Sequence, residues 1–172
     1  MASIEEMDYW LRGRHDEYRL ECIEIKHPSF SRDYRFVRNN EDGVRVKHAN
    51  KNGVDTWYDY EYLPLSITAA KSSDDLQQGF TIAIGDVGEI MPQEIRRLRN
   101  GSYRNVKPIV NYRVYLSSNL ASPMRSALGL EVTDNQTQKR GAVFICKARE
   151  LNKNSTGAVL TIDLFPSQRG FS

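Results

Sequence analysis

Reactive side chains are scarce in this sequence. Its 172 residues include two cysteines, Cys22 and Cys146, and three histidines, His15, His27 and His48. Two separated cysteines cannot supply the four thiolates of an iron–sulfur cluster. No two histidines stand four residues apart and none has a cysteine nearby, so zinc-ligand spacing is missing. The histidines read as surface or turn residues. Each cysteine falls inside a strand-like run and reads as a buried free thiol that packs as a small hydrophobe. Long apolar runs are also missing, and no stretch approaches the roughly 18 residues of a membrane span. Met1 to Asp8 lack the basic start and apolar core of a secretory signal, so the expectation is synthesis in the cytosol and a soluble chain until something recruits it. Charge of one sign is lacking as well. Lys and Arg number 24 against 22 Asp and Glu, for a formal net charge of +2, which falls short of a dedicated nucleic-acid binder and gives no steering toward DNA or anionic lipid.

Local catalytic signatures are equally thin. There is no G-x-S-x-G elbow. Gly85-Asp86-Val87-Gly88 follows a strand and opens a helix, as phosphate-binding turns do. It lacks the third glycine of the dinucleotide fingerprint and the Lys-Ser/Thr of a P-loop, and Asp86 would repel phosphate. Asp86 therefore reads as a helix N-cap. A cell-wall hydrolase needs a Cys–His pair or two carboxylates facing a cleft, whereas the acids here are scattered. The expectation is a non-enzyme with no catalytic, metal or cofactor site.

What the chain does have is strands. Hydrophobic residues make up 40% and charged ones 27%, the composition of a folded globular protein rather than a disordered one. Extended structure is predicted over Tyr18–Lys26, Ser29–Arg38, Val44–His48, Asp55–Ile67, Phe80–Ile84, Val110–Leu116, Leu128–Val132, Gly141–Ala148 and Val159–Phe165. Asn39 to Gly43 and Asn50 to Gly53 are turns, since Asn, Asp and Gly tolerate positive φ. Asn105 to Pro108 and Thr133 to Lys139 read as loops. The predicted fold is mainly β (α+β). It has two β sub-lobes of barrel or sandwich type, an N-terminal helix and one internal helix. Residues 1–172 form one unit, with sub-lobes 1–72 and 73–172 meeting at the polar seam Lys71 to Asp75.

Ser3 and Glu6 have capping-box spacing, and Ile4, Met7, Trp10 and Leu11 share one face of the helix that follows. This face either packs on the core or docks on a partner. The internal helix runs from Asp86 to Asn100, with Val87, Met91, Ile95 and Leu98 as its apolar stripe. Pro92 demands a start or a kink there.

Three features are candidate contact surfaces. Trp10 and Leu11 lie on the N-terminal helix. Tyr58, Tyr60 and Tyr62 share one strand face by alternation, and Tyr suits both a core and an interface. Arg96, Arg97, Arg99 and Arg104 gather around a helix C-terminus, where cations favour the dipole. They read as a solvated helix end or as a rim that meets an acidic neighbour or passing DNA.

Several stretches, in this order, carry a resemblance. They are His27-Pro28-Ser29-Phe30-Ser31 with Tyr34-Arg35-Phe36-Val37-Arg38, then Tyr62-Leu63-Pro64-Leu65. Asp74-Asp75-Leu76-Gln77-Gln78 leads to Gly85-Asp86-Val87-Gly88-Glu89-Ile90. Lys107-Pro108 precedes Tyr112-Arg113-Val114-Tyr115, and Phe165-Pro166 runs on to Arg169-Gly170-Phe171. From about Tyr18 to Phe171 the chain resembles the bacteriophage tail proteins grouped as the domain-of-unknown-function 1833 family. The resemblance implies a minor tail or tail-tip protein of a long-tailed phage, with β-barrel-like hub relatives and no established active site. It implies a virion location in the tail, after synthesis in the bacterial host cytoplasm. The implied partners are further copies of the chain in a trimeric or hexameric ring, and the tail tube, tape measure and hub. No membrane is implied, and nucleic acid enters only as DNA passing through the tail lumen. A non-enzymatic β-barrel module that binds nucleic acid or glycan is the alternative.

Overall fold

In the strand Arg19–Lys26 (β1), Ile23 and Ile25 point to one side while Leu20, Cys22 and Glu24 point to the other, as the two-residue period of a strand requires. All five are buried. A strand covered on both faces belongs in the interior of a sheet, and β1 sits there. A computed structural model describes residues 4–12, 17–50, 52–69, 79–85, 90–138 and 141–148. Its elements run α1 (Ile4–Arg12), β1, β2 (Tyr34–Val37), β3 (Val44–Ala49), β4 (Asp55–Tyr62), β5 (Leu65–Ala69), β6 (Gly79–Ile84), α2 (Ile90–Asn100), β7 (Ile109–Leu116), β8 (Arg125–Gln138) and β9 (Gly141–Lys147).

The protein is mainly β, with two helices among the described residues. The nine strands among the described residues join in one open mixed sheet, ordered β3-β4-β2-β1-β7-β8-β9-β6-β5. This corrects the expected pair of barrel or sandwich sub-lobes, because β1 pairs with β7 along its whole length, from Arg19 opposite Leu116 to Lys26 opposite Ile109. That ladder joins strands from the two halves of the chain. β5, from the first half, crosses to the far edge and pairs with β6. The seam at Lys71 to Asp75, the segment Val159–Phe165 and the cap positions Ser3 and Asp86 lie outside the described residues.

Other differences from expectation have local causes. The predicted strand Asp55–Ile67 breaks into β4 and β5 at Leu63-Pro64, since Pro64 has no N–H for a ladder. The Pro64 carbonyl instead accepts from Gly85 N at 2.8 Å. The predicted strand Ser29–Arg38 shortens to β2, because the chain turns after Pro28, with Phe30 N donating to His27 O at 3.0 Å. In α2, Pro92 falls in the first turn, where its missing N–H costs no intrahelical bond. β8 is much longer than predicted. Its first part pairs with β7 and its last part with β9, and Glu131 is common to both registers, opposite Ile109 and Lys147.

One face of the sheet carries the larger core. Ile23, Phe36, Val110, Val114, Leu130, Phe144 and Ile82 pack there with Ile95 and Leu98 of α2. Burying each of these large apolar side chains is worth about 1.5–3 kcal/mol. On the opposite face the β3–β4 hairpin curls back over β1, β2 and β7. A smaller core of Leu20, Cys22, Val37, Val46, Tyr60 and Tyr115 fills the space beneath it. The curl is closed by Lys47 N donating to Leu120 O at 2.9 Å and by the Tyr115 hydroxyl donating to Lys47 O at 3.0 Å. Gly43 turns the chain into β3 with φ of 74°, where a Cβ would lie 2.7 Å from the Tyr60 carbonyl oxygen. Only glycine fits that position without strain.

Candidate interface surface

α1 turns its apolar stripe away from the core. Ile4, Met7, Trp10 and Leu11 are exposed, Leu11 by 80% and Trp10 by 62%. The helix is held by Tyr9, which packs toward the larger core, and by the Arg19 guanidinium, 5.1 Å from the Trp10 ring centroid. The helical period thus brings Trp10 and Leu11 together on an outward face. An exposed apolar stripe is the usual mark of a contact surface.

Tyr58, Tyr60 and Tyr62 share a face, as alternation predicts, but that face is the underside of the hairpin. Tyr60 is 2% exposed, which takes it out of the surface. Tyr58 is half-buried, with the His48 ring stacked on it at 4.4 Å and the Arg35 guanidinium 4.3 Å from its centroid. Tyr62, 38% exposed at the end of β4, remains open. Trp57, on the opposite side of β4, is exposed beside Lys47, its cross-strand partner.

Arg96, Arg97 and Arg99 are exposed along α2, and Arg104 is exposed in the loop that follows. Arg97 is tied down by a 2.8 Å ion pair with Glu94. Glu94 is itself buried, and its Oε1 also accepts from Ser31 Oγ at 2.7 Å and the Tyr34 hydroxyl at 2.8 Å. Through these bonds the arginine-bearing helix is anchored to the start of β2 and the segment before it.

The structure also contains a buried polar network that the sequence reading missed. Glu24, 0% exposed, receives Lys26 Nζ and Arg35 Nε at 3.0 Å each on Oε1. Asn111 Nδ2 at 3.0 Å and Arg113 Nη1 at 3.3 Å donate to its Oε2. Burial alone would raise this carboxyl. The hydrogen bonds from Asn111 and Lys26 and the charges of Lys26 and Arg113 outweigh burial and hold it at about 2. Arg113 also reaches the Tyr60 hydroxyl, which contacts His48 Nε2 at 3.0 Å. The available signal was a charged residue inside an apolar run, Glu24 in β1 and Arg113 in β7, since such residues are buried only when paired.

Of the histidines expected at the surface or in turns, His27 opens the turn closed by Phe30 N and is buried there, while His48 is buried in β3. His27 Nε2 donates to Val106 O at 2.9 Å, and its Nδ1 accepts from Ser29 N at 3.0 Å. Cys22 and Cys146 are buried free thiols, pushed up to about 12 by burial, and hence poor nucleophiles. Among the described residues no three His, Cys, Asp or Glu side chains gather as metal ligands would, and no helix is long and apolar enough to cross a membrane.

Fold and surface together define a mainly β protein that presents an amphipathic helix and exposed aromatics outward. The chain belongs to the family described as Domain of unknown function (DUF1833), whose profile matches residues 13–146. No curated protein matches the chain.

Proposed function

We propose that the protein is a structural subunit of a bacteriophage tail tip. In this reading it closes into a symmetric ring of three or six copies, between the tail tube with its tape measure and the central hub. It works by contact, without catalysis or cofactor, and resides in the tail of the virion after synthesis in the host cytoplasm. The phage setting rests on the ordered motifs from His27 to Tyr115, which lie within the matched family region. The observation that supports a contact-making role is the outward stripe of Ile4, Met7, Trp10 and Leu11 on α1. The edge strand β5, with β6 as its partner among the described residues, supplies a second means of joining copies. Arg96, Arg97, Arg99 and Arg104 fit the rim of such a contact, and any touch on passing DNA would be phosphate-level and salt-dependent.

Light scattering over a concentration series, with negative-stain imaging, tests this reading. A discrete trimer or hexamer with a central hole is the expected outcome. A monomer at every concentration, together with absence of the chain from purified phage particles, overturns it.

A glycan-binding module is the second reading. It is favoured by a recess of about 400 Å³ lined by Tyr9, Tyr18, Arg19, Arg38 and Asn39, which pairs stacking surfaces with hydrogen-bonding groups. Saturable binding of host surface saccharides, lost in Tyr18→Ala, would select it over the ring.

A further inference from the structure

We infer that the β3–β4 hairpin is an acid-opened flap, latched through His48. Besides the smaller core, the Arg32–Glu61 ion pair at 3.0 Å and the Arg35–Tyr58 contact, its connections to the rest of the sheet are few. Two residue pairs join it to β2, Phe36 opposite Glu61 and Val37 opposite Tyr62, and Leu63 N donates to Val37 O at 3.1 Å. At the far edge it is held by the two bonds of Lys47 to Leu120 and Tyr115. Between these attachments lies one directional chain. Arg113 Nη1 donates to the Tyr60 oxygen at 3.4 Å. The Tyr60 hydroxyl donates to His48 Nε2 at 3.0 Å. His48 Nδ1–H donates to the Ala49 carbonyl at 3.1 Å, which fixes the tautomer because a carbonyl only accepts.

This chain works with a neutral imidazole. Protonating Nε2 leaves the Tyr60 hydroxyl facing two donors, the imidazolium and Arg113. It also adds a cation to a region already rich in them. Lys26 of β1, Arg35 of β2 and Arg113 of β7 face the carboxylates of Glu24 on β1 and Asp33 before β2. The remaining titratable neighbours are Tyr58 and Tyr60 on β4, Tyr115 on β7, Cys22 on β1, and the Lys47–Asp55 pair on the hairpin itself, 3.5 Å apart. No carboxylate among the described residues hydrogen-bonds to His48.

Burial, aided by the charge of Arg113, lowers the docked imidazole below its ordinary 6.5. A released flap returns it toward 6.5, so the released state binds the proton more tightly. Docking is therefore strongest above that value and weakens as pH falls through the lowered docked value. Glu24, held at about 2 against an ordinary 4.5, stays ionised across this window and keeps the sheet beneath intact. The flap thus opens while the remaining fold persists.

The two cysteines report the opening separately. Cys22 lies under the flap, and Cys146 lies in the other core on the α2 side. The native chain is treated with a dipyridyl disulfide, which reacts with thiols in acid, and labelled peptides are counted by mass spectrometry. On going from about pH 7 to about pH 5, Cys22 labelling rises relative to that of Cys146. His48→Gln flattens the rise. In the unmutated chain the midpoint for Cys22 exposure coincides with the His48 imidazole midpoint followed by NMR, which serves if the variant does not fold. The inference fails if Cys22 stays protected, if both cysteines open together, if His48→Gln keeps the rise, or if the two midpoints differ.

Discussion

Arg35 lies over the Tyr58 ring, 4.3 Å from its centroid, while its Nε holds Glu24 at 3.0 Å. One guanidinium therefore joins the hairpin above to the sheet below, by a cation–π contact on one side and an ion pair on the other.

Glu24 is the centre of that arrangement. Glu24→Ala leaves Lys26, Arg35 and Arg113 without their shared carboxylate, and removing one partner of a buried ion pair costs about 3–5 kcal/mol. Urea denaturation at neutral pH reads the loss. In the unmutated chain the contribution of Glu24 is complete above its ordinary 4.5 and is lost as pH falls toward about 2. The stability difference between the two proteins therefore narrows over that acid range.

Gly43 and Gly53 both have positive φ, 74° and 77°, but their surroundings differ. A Cβ on Gly53 meets nothing within 4 Å, whereas on Gly43 it meets the Tyr60 carbonyl oxygen at 2.7 Å. Gly53→Ala should cost about 1–2 kcal/mol, the left-handed penalty alone. Gly43→Ala should cost clearly more, and paired thermal melts give the order.

Glu94 and Arg97 form an ion pair with unequal stakes. Glu94→Ala removes the acceptor shared by Ser31, Tyr34 and Arg97 and leaves Ser31 and Tyr34 bonded to each other at 2.9 Å, with an expected loss of about 1–3 kcal/mol. The Arg97 side chain is 54% exposed, and Arg97→Ala should change stability by less than about 1 kcal/mol. Chemical denaturation of the two variants side by side checks the asymmetry.

Met7→Asp with Leu11→Asp alters the outward stripe of α1 without touching the core. Folding stability should shift by no more than about 0.5 kcal/mol per site. Association measured by light scattering should weaken markedly. Unchanged association would exclude α1 from the contact.

Some of this was legible in the sequence and some was not, for identifiable reasons. β7 was readable because Val110, Tyr112, Val114 and Leu116 alternate as one apolar face. β8 beyond Val132 looked like a loop because Thr133 to Gln138 is polar, and its extended form comes from the β9 ladder rather than from local preference. The α1 stripe followed from helical period alone. The burial of Tyr60 did not, because alternation tells which tyrosines share a face but not which face the hairpin turns inward. The Glu24–Arg113 pair joins residues 89 apart in sequence, beyond any local pattern.

The stagger along β8 has a mechanical meaning. Its first part is bonded to β7 and its last part to β9, so this one strand splices two offset half-sheets, as an overlapped joint does. Ladder hydrogen bonds run perpendicular to the strands. Tension along the β8 axis therefore loads each ladder in shear, with its bonds sharing the force at once. Tension across the sheet peels them one at a time. The protein is built to be strong along β8 and weak across it.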